Sequence, residues 1–242
     1  MMKVGLGLSV LLTAFTLASS APLGFAEPNQ GATIRGTVVF SGRAPAPKPV
    51  EFGAEKQCAL LHGNNPPYAE DLVVNANGAL KWTLVYVANE VPGDVAPPTE
   101  PLIFDQKGCL FSPHVGAVMV GQPIEVRNSD PVLHNVRAQS KAGQSFNIAQ
   151  PVQGMKTTKT FKKPEIGIPL KCDVHFWMTA YLHVLSNPFF AITGADGTFT
   201  IEGLSPGTYT LAAWHEKLGE QTHTVIVQEG QRATVTFTFA AQ

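Results

Sequence analysis

The sequence lacks several features that mark common classes of protein. Basic residues are neither in excess nor clustered, with 17 Lys and Arg against 18 Asp and Glu, so nothing points to nucleic-acid binding. The pattern His-Glu-x-x-His is absent, which excludes one common class of zinc peptidase. Beyond residue 26, no window longer than ten residues keeps a helical period, and no internal repeat is found. A largely helical fold and a repeat array are therefore excluded.

Only one long apolar run is found, and it lies near the N-terminus. Lys3 precedes the run at residues 4–18, and Ala26 is a small residue of the kind that signal peptidases prefer. We therefore predict a signal peptide at residues 1–26, no membrane span after its cleavage, and a periplasmic or secreted protein. An uncleaved anchor is the alternative. Loss of Lys3 leaves 16 basic and 18 acidic residues, a net charge of −2.

Metal-binding residue types concentrate in one short stretch, Cys172-Asp-Val-His175-Phe-Trp-Met178, and another histidine, His134, lies upstream. One thiolate, two imidazoles and a weak axial thioether are the ligand set of a blue-copper electron-transfer site. We therefore predict that these four side chains bind one copper ion. Three alternatives stand beside this: Cys172 is only a small buried hydrophobe, Met178 only fills the core, and His134 only belongs to a turn.

Two further cysteines remain, Cys58 and Cys109. In an exported protein, two thiols that bind no metal are expected to form a disulfide. The sequence leaves open whether their Cα atoms approach closely enough. The alternative is a second metal site that joins Cys109 to His114, five residues further on.

Short apolar runs with period-two alternation recur between Gly, Pro and Asn-Gly turns, which predicts an all-β protein. Residues 32–40 and 80–87 are two such runs, and Asn75-Ala-Asn-Gly78 is a hairpin signal before the second. A short helix is predicted at residues 58–62. From Phe189 onward short strands alternate with frequent turns, which is typical of a small β-sandwich.

Four segments carry a resemblance to a known family: Gly121-Gln-Pro-Ile-Glu-Val-Arg-Asn128, Leu133-His-Asn-Val136, the loop from Cys172 to Met178, and Leu182-His-Val184. Together they resemble the cupredoxins over residues 115–186, and the short ligand loop is most similar to that of amicyanin. The resemblance implies a Greek-key β-sandwich with copper near one end. It also implies that Asn135 ties the two ligand-bearing loops together.

A second resemblance rests on Thr193-Gly-Ala-Asp-Gly-Thr-Phe-Thr-Ile201 and Gly203-Leu-Ser-Pro-Gly-Thr-Tyr-Thr-Leu211. Residues 189–242 are similar to a carboxypeptidase regulatory-like, or transthyretin-like, domain. Such domains usually open with a strand of the type found far upstream, in Gly36-Thr-Val-Val-Phe-Ser-Gly42-Arg-Ala-Pro45. We therefore predict that the copper unit is inserted after the first strand of this second sandwich.

These patterns divide the chain into four segments. Residues 1–26 are the predicted signal peptide, and residues 27–70 hold an N-terminal strand and a Pro-rich linker. Residues 71–187 are the predicted cupredoxin-like copper domain. Residues 188–242 are the predicted carboxypeptidase regulatory-like sandwich.

Two aromatic residues, Phe176 and Trp177, lie inside the ligand loop. They flank the exposed edge expected of His175. They form either an apolar patch through which electrons reach a redox partner, or ordinary packing against the second sandwich. Three other histidines are not expected to bind the metal. His114 is expected to be structural or to support a ligand, His215 to be structural, and His183 to lie at the surface or rim.

An exported mononuclear copper protein that passes single electrons to a redox partner protein is the function these residues favour. No strong coordination position stays open for a substrate, so we do not expect an enzyme. Periplasmic copper storage or delivery is one alternative. A non-catalytic envelope or carbohydrate-binding-like scaffold is the other, in which Cys172 would be inert.

Overall fold

The computed structural model describes residue 1, residues 31–91, residue 93 and residues 95–241. Apart from Met1, the signal peptide predicted for residues 1–26 lies outside the described residues, as do residues 27–30 of the segment that follows it. Among the residues described, no helix has both the length and the apolar character needed to cross a membrane.

Strands dominate this part of the chain, and one five-residue helix, α1 (Lys56–Leu60), lies where the sequence predicted a short helix. The strands are β1 Ala32–Ser41, β2 Leu84–Val87, β3 Leu102–Gln106, β4 Phe111–Ser112, β5 Val115–Met119, β6 Pro123–Asn128, β7 His134–Ala138, β8 Phe146–Gln150, β9 Lys156–Thr160, β10 Glu165–Lys171, β11 Thr179–Leu185, β12 Phe190–Ile192, β13 Thr198–Leu204, β14 Gly207–His215, β15 Gly219–Val227 and β16 Arg232–Ala240.

Strands from both ends of the described chain form one β-sandwich, which we call the split sandwich. Its three-stranded sheet has the order β13-β1-β16, and its four-stranded sheet has the order β12-β2-β14-β15. The alternation of β1 places Ile34, Val38 and Phe40 in the core between the two sheets. The alternation of apolar residues in the sequence therefore corresponds to the alternation of side chains between the two faces of the strand.

The strands between β2 and β12 form a separate sandwich, which we call the inserted sandwich. Its sheets have the orders β5-β11-β10-β7-β8 and β4-β3-β6-β9. A second apolar core lies between them, and its largest buried side chains include Phe104 and Phe161. The all-β class and the presence of two sandwiches are thus confirmed.

The strand pairing bears on the predicted segment boundaries. β1 runs parallel to β16 from Thr33 to Ser41 and antiparallel to β13, which is the pairing that an insertion after the first strand requires. However, β2 pairs with β12 and β14 of the split sandwich. The boundary expected at residue 71 therefore lies inside the split sandwich, and the inserted strands begin only at Leu102. Local alternation identifies a strand but not its partners, which explains the difference.

Two strand ends of the inserted sandwich position the predicted ligands. β10 pairs with β11 on one side and with the end of β7 on the other. The loop of residues 172–178 joins β10 to β11, and β7 begins at His134. Since β10 is hydrogen-bonded to both neighbours, the ligand loop and His134 are brought to the same end of one sheet.

Candidate metal centre

Backbone hydrogen bonds close the ligand loop into a compact turn. The N–H of Cys172 donates to the carbonyl oxygen of Met178 at 3.3 Å, and the N–H of Met178 donates to that of His175 at 2.9 Å. The three side chains are therefore held on a loop that leaves one strand and enters the next. All three are nearly inaccessible, with exposed fractions of 3% for Cys172, 1% for Met178 and 2% for His175.

Three of the four predicted ligands converge at this loop. The Nδ1 atoms of His134 and His175 are 3.0 Å apart, and Cys172 Sγ is 3.7 Å from His175 Nδ1. One ligand atom from each of the three residues lies within 4.8 Å of the other two. His134 is completely buried. Two imidazole nitrogens and one sulfur therefore face a common point inside the protein.

The carboxylate of Asp130 fixes the orientation of His134. Asp130 Oδ2 lies 3.0 Å from His134 Nε2, and its two oxygens also accept the N–H groups of Gly108 and Cys109 at 2.7 Å. Burial opposes ionisation of Asp130, but these hydrogen bonds dominate and lower the pKa of its carboxyl. An ionised carboxylate only accepts, so the neutral form of His134 carries its proton on Nε2 and directs the lone pair of Nδ1 toward Cys172 and His175.

Hydrogen bonding favours the thiolate form of Cys172. Burial alone would raise the pKa of this thiol, but contact with His134 and the N–H of Asn135 lowers it. The same contacts with Asp130 and Cys172 raise the pKa of His134 against the effect of burial. Burial and the neighbouring His134 lower the pKa of His175. The lowered pKa values of Cys172 and His175 favour the thiolate and the neutral imidazole, which are the forms that bind a metal, whereas the raised pKa of His134 favours a proton that metal binding would displace.

Asn135 connects β7 to the ligand loop, as the cupredoxin resemblance implies. Its Oδ1 accepts the N–H of Asp173 at 2.6 Å and lies 3.4 Å from Cys172 Sγ. Its Nδ2 donates to Asp173 Oδ2 at 3.0 Å and to Asn147 Oδ1 at 2.8 Å. Its own N–H points to Cys172 Sγ at 3.5 Å. These contacts hold the first residues of the loop against the strand that carries His134.

The other two cysteines are joined in the structure. Cys58 and Cys109 form a disulfide with Cα atoms 5.6 Å apart, and both are buried. The sequence left open a disulfide or a second metal site, and the structure shows the disulfide. Cys109 does not pair with His114, whose Nε2 is hydrogen-bonded to the carboxylate of Glu216.

The disulfide anchors a segment that covers the ligand loop; we call residues 50–65, which include α1, the lid segment. Its His62 ring stacks on Phe52, with centroids 5.2 Å apart, and His62 Nε2 lies 2.7 Å from the carbonyl oxygen of Gly108. Phe52 packs edge-on against Trp177. Because of this cover, the exposed edge expected of His175 is absent from the structure, and its ring is buried. The covering residues lie more than a hundred positions upstream, so the loop sequence gave no sign of them.

The two aromatic residues of the loop have different environments. Trp177 is half-buried, and its Nε1 donates to the carbonyl oxygen of Cys109 at 2.9 Å. Phe176 is 82% exposed. The Trp177 ring lies with its centroid 5.2 Å from that of His175 and 5.2 Å from that of Phe176. A continuous line of rings thus leads from a candidate ligand to the surface. It ends beside a cleft of about 600 Å³ that Tyr68 also lines.

His183 and His215 lie near the boundary between the two sandwiches. His183 is fully buried, which contradicts the expected position at the surface or rim. Its Nδ1 accepts the N–H of Gly167 at 3.0 Å, and its ring packs edge-on against Trp214 of the split sandwich. Burial lowers the pKa of His183 to about 3. His215 is buried and accepts the N–H of Lys217 on Nδ1, a structural role as expected.

Two parts of this centre have no counterpart in the sequence prediction. Asp130 has no role in the sequence prediction, although an acidic residue four positions ahead of a candidate ligand histidine is a usable signal. For the lid segment, the sequence predicts only a short helix. His62, for which no role was predicted, serves to hold this segment in place.

Comparison with known families and structures adds two kinds of likeness. Residues 185–240 match the family model of the carboxypeptidase regulatory-like domain, which confirms the second resemblance. The match begins at the end of β11 and takes in β12–β16. It does not reach β1 and β2, which complete the split sandwich. No curated protein matches the chain in a sequence comparison.

The solved structures to which the chain is similar include several copper proteins. A Cu-containing nitrite reductase from Thermus scotoductus SA-01 is 21% identical over 41% of this chain, with a TM-score of 0.35, and the chain spans 25% of that protein's length. A purple cupredoxin from Nitrosopumilus maritimus is 23% identical over 31% of this chain and 81% of its own, with a TM-score of 0.28. A copper(I) amicyanin variant is 16% identical over 41% of this chain and 97% of its own, with a TM-score of 0.32. Because these TM-scores are low, the candidate ligands are assigned from the residues of this chain and not from the similar structures.

Proposed function

We propose that this protein binds one copper ion through His134, Cys172, His175 and Met178 and passes single electrons. The observation that carries the proposal is the convergence of one buried sulfur and two buried imidazole nitrogens within 4.8 Å of one another. The donor set fits copper, because thiolate and thioether suit Cu(I) and imidazole suits both oxidation states. When bound, the metal would supply a one-electron couple.

The chain's own residues prepare the site for that role. Asp130 holds His134 in the tautomer that offers Nδ1, and Asn135 holds the ligand loop against β7. Similar supporting contacts keep ligands in place when the charge of a metal changes. Met178, buried at the end of the loop, would be the weak axial ligand. With four protein ligands, no strong coordination position remains for a substrate, so we propose a carrier and not an enzyme.

Electrons would enter and leave through the aromatic line rather than through the edge of His175. The lid segment covers that edge, whereas Phe176 is the exposed end of the line. A redox partner protein would dock over Phe176 and the adjoining cleft, in the small interface typical of transient electron-transfer pairs. The disulfide of the lid segment is in keeping with an oxidising compartment, and we propose that the protein is exported to the periplasm or beyond.

Repeated reduction and oxidation of the copper-loaded protein, residues 27–242, tests the electron-carrier function. We expect copper to stay bound through many cycles at an electrode, as measured by metal content before and after. The Cys172→Ala variant should lose the reversible couple while its apo form keeps the circular dichroism of the wild-type apo protein. A Met155→Ala variant, changed outside the ligand loop, is the matched control and should cycle normally.

Two other functions would give different results in the same experiment. A periplasmic copper store or delivery protein would bind copper but surrender it to a chelator after reduction. A scaffold with an inert Cys172 would take up no copper, and Cys172→Ala would cost only packing energy. Either result would overturn the proposed electron transfer.

A further inference from the structure

The Cys58–Cys109 disulfide lies directly against the candidate copper site. One ligand atom from each of Cys58, Cys109 and His175 lies within 4.8 Å of the other two. One ligand atom from each of Cys109, Asp130 and His134 also lies within 4.8 Å of the other two. Cys109 is therefore near both histidines of the proposed copper site, and His175 is shared between that site and the pair of sulfurs.

The same cysteine pair closes the site toward solvent. Cys58 is carried by α1 of the lid segment, and Cys109 lies in the inserted sandwich beneath it. Cys58 is 1% exposed and Cys109 is completely buried. Beyond the disulfide, the lid segment is held here by the contact of His62 with Gly108 and by the packing of Phe52. Breaking the disulfide removes the covalent tie of the segment that covers His175.

The disulfide and the reduced form of the cysteine pair differ in their ability to bind copper. As a disulfide, neither sulfur is a thiolate, and neither is a strong metal ligand. Reduction by a dithiol protein adds two electrons and two protons, breaks the sulfur–sulfur bond and leaves the partner as a disulfide. The two thiols can then bind Cu(I) as thiolates with release of their protons. Two thiolates and one imidazole are a soft donor set that suits Cu(I).

We propose that reduced Cys58 and Cys109, with His175, form a second Cu(I) site that loads the first. This rests on the proposed function, since its product is copper bound by His134, Cys172 and His175. Because His175 belongs to both sets, the ion moves inward by exchanging its two sulfur ligands, Cys58 and Cys109, for the sulfur of Cys172 and the imidazole of His134. Once the ion has left, the two sulfurs attack the disulfide of a disulfide-forming oxidoreductase, whose sulfur–sulfur bond breaks and which leaves as a dithiol. The Cys58–Cys109 bond forms again and ties the lid segment down.

The test isolates the second site by removing the first. In a Cys172→Ser variant of residues 27–242, the pair is reduced anaerobically with tris(2-carboxyethyl)phosphine, the reagent is removed, and the protein competes with bathocuproine disulfonate for Cu(I). We expect the reduced variant to take one equivalent of Cu(I) from the chelator and the disulfide form to take none. A Cys58→Ser, Cys172→Ser double variant should also take none in either state.

Alkylation gives an independent readout. In the reduced Cys172→Ser variant, Cu(I) should protect Cys58 and Cys109 from iodoacetamide, as measured by peptide mass spectrometry. Equal alkylation with and without Cu(I) would overturn the proposal, whether the chain stays folded or not, and so would a disulfide that resists reduction. The copper colour of the oxidised wild-type protein depends on Cys172 alone, so failure of the loading site and failure of the main site are distinguishable.

Discussion

At the scale of single residues, Asp130 links the candidate copper site to the backbone around the disulfide. Its two oxygens serve the ring of His134 and the N–H groups of Gly108 and Cys109. The side chain is 4% exposed, so water cannot replace it easily. The orientation of one ligand therefore depends on a residue that binds no metal itself.

The first prediction concerns this carboxylate. Asp130→Asn keeps the size of the side chain but removes its charge. It also replaces one acceptor oxygen with an NH2 group, which would face N–H donors. We expect the affinity for copper to fall by about 10- to 100-fold, the usual effect of losing such a support. Competition with a chromogenic chelator measures it. Asp71→Asn, which changes an exposed ion pair with Lys217 in the other sandwich, is the control. Equal affinity in the Asp130→Asn protein would contradict the assigned role.

The second prediction concerns the exposed end of the aromatic line. Phe176→Ala should slow electron self-exchange between copper-loaded molecules, measured by NMR line broadening, because its ring is the exposed end of the aromatic line. Stability should change by no more than about 0.5 kcal/mol, as for most exposed sites. Ile226→Ala removes another exposed apolar side chain, from β15, and should leave the exchange rate unchanged. An unaltered rate in Phe176→Ala would mean that electrons take another path.

The ligands could be predicted from the sequence because their spacing is local and their types are chemically distinctive. Cys172, His175 and Met178 occupy a single loop, and His134 precedes an asparagine at a strand start. Asp130 could not be predicted with the same ease, since Ser-Asp-Pro is also a common turn. The burial of His175 could not be predicted, because it depends on a lid segment that is distant in sequence.

At the scale of elements, β1 is the strand on which the split sandwich depends. It lies in the middle of its sheet, parallel to β16 on one side and antiparallel to β13 on the other. Gly36 pairs with Phe199 of β13 and with Val235 of β16. A Cβ placed there would be 2.0 Å from the carbonyl oxygen of Val235 and 2.5 Å from the ring of Phe199.

The third prediction follows from that contact. Gly36→Ala should lower the free energy of unfolding by about 3 kcal/mol, at the upper end of the range for overpacking, because a backbone oxygen cannot move aside as a side chain can. Urea denaturation monitored by circular dichroism measures the change. Gly194→Ala is the matched control, since its Cβ would meet nothing closer than Asp196 at 3.6 Å. Similar stability in the two variants would contradict the packing described for β1.

The pairing partners of β2 could not be predicted from the sequence. Residues 80–87 alternate as a strand should, and the last four of them form β2. Its partners, β12 and β14, lie about a hundred residues or more downstream. Pairing at such a distance depends on how both sheets close over one core, and no local pattern encodes it. The pairing of β1 was accessible only because its Gly-x-Val pattern resembled that of a known domain type.

At the scale of the whole molecule, the two sandwiches meet through aromatic residues and histidines. Trp214 of the split sandwich packs against Tyr181 and His183 of β11, with ring centroids 5.3 Å and 4.7 Å away. A hydrogen bond between His114 and Glu216 crosses the same boundary. The position of the inserted sandwich is thus fixed partly by a neutral, fully buried imidazole.

The fourth prediction is a dependence of stability on pH. The pKa of His183 is about 3 in the folded protein, against about 6.5 for a free imidazole. Between these values the unfolded chain binds a proton that the folded protein does not, so stability falls as the pH falls below about 6.5. The slope contributed is about 1.4 kcal/mol per pH unit.

Replacing the imidazole tests this directly. His183→Gln does not titrate, so its free energy of unfolding should fall less steeply than that of the wild type between about pH 6.5 and pH 4.5. Urea denaturation at several pH values measures the difference. His223→Gln, at an exposed position of β15, should keep the wild-type slope. Parallel curves for wild type and His183→Gln would contradict a neutral buried histidine.

The visible absorption spectrum of residues 27–242 during titration with Cu(II) tests the proposed copper site most directly. We predict an intense blue or green charge-transfer band that saturates at one equivalent and is missing in Cys172→Ala, because only a copper–thiolate bond gives such a band. A colourless protein, or one with only weak d–d absorption, would contradict the electron carrier proposed from His134, Cys172, His175 and Met178.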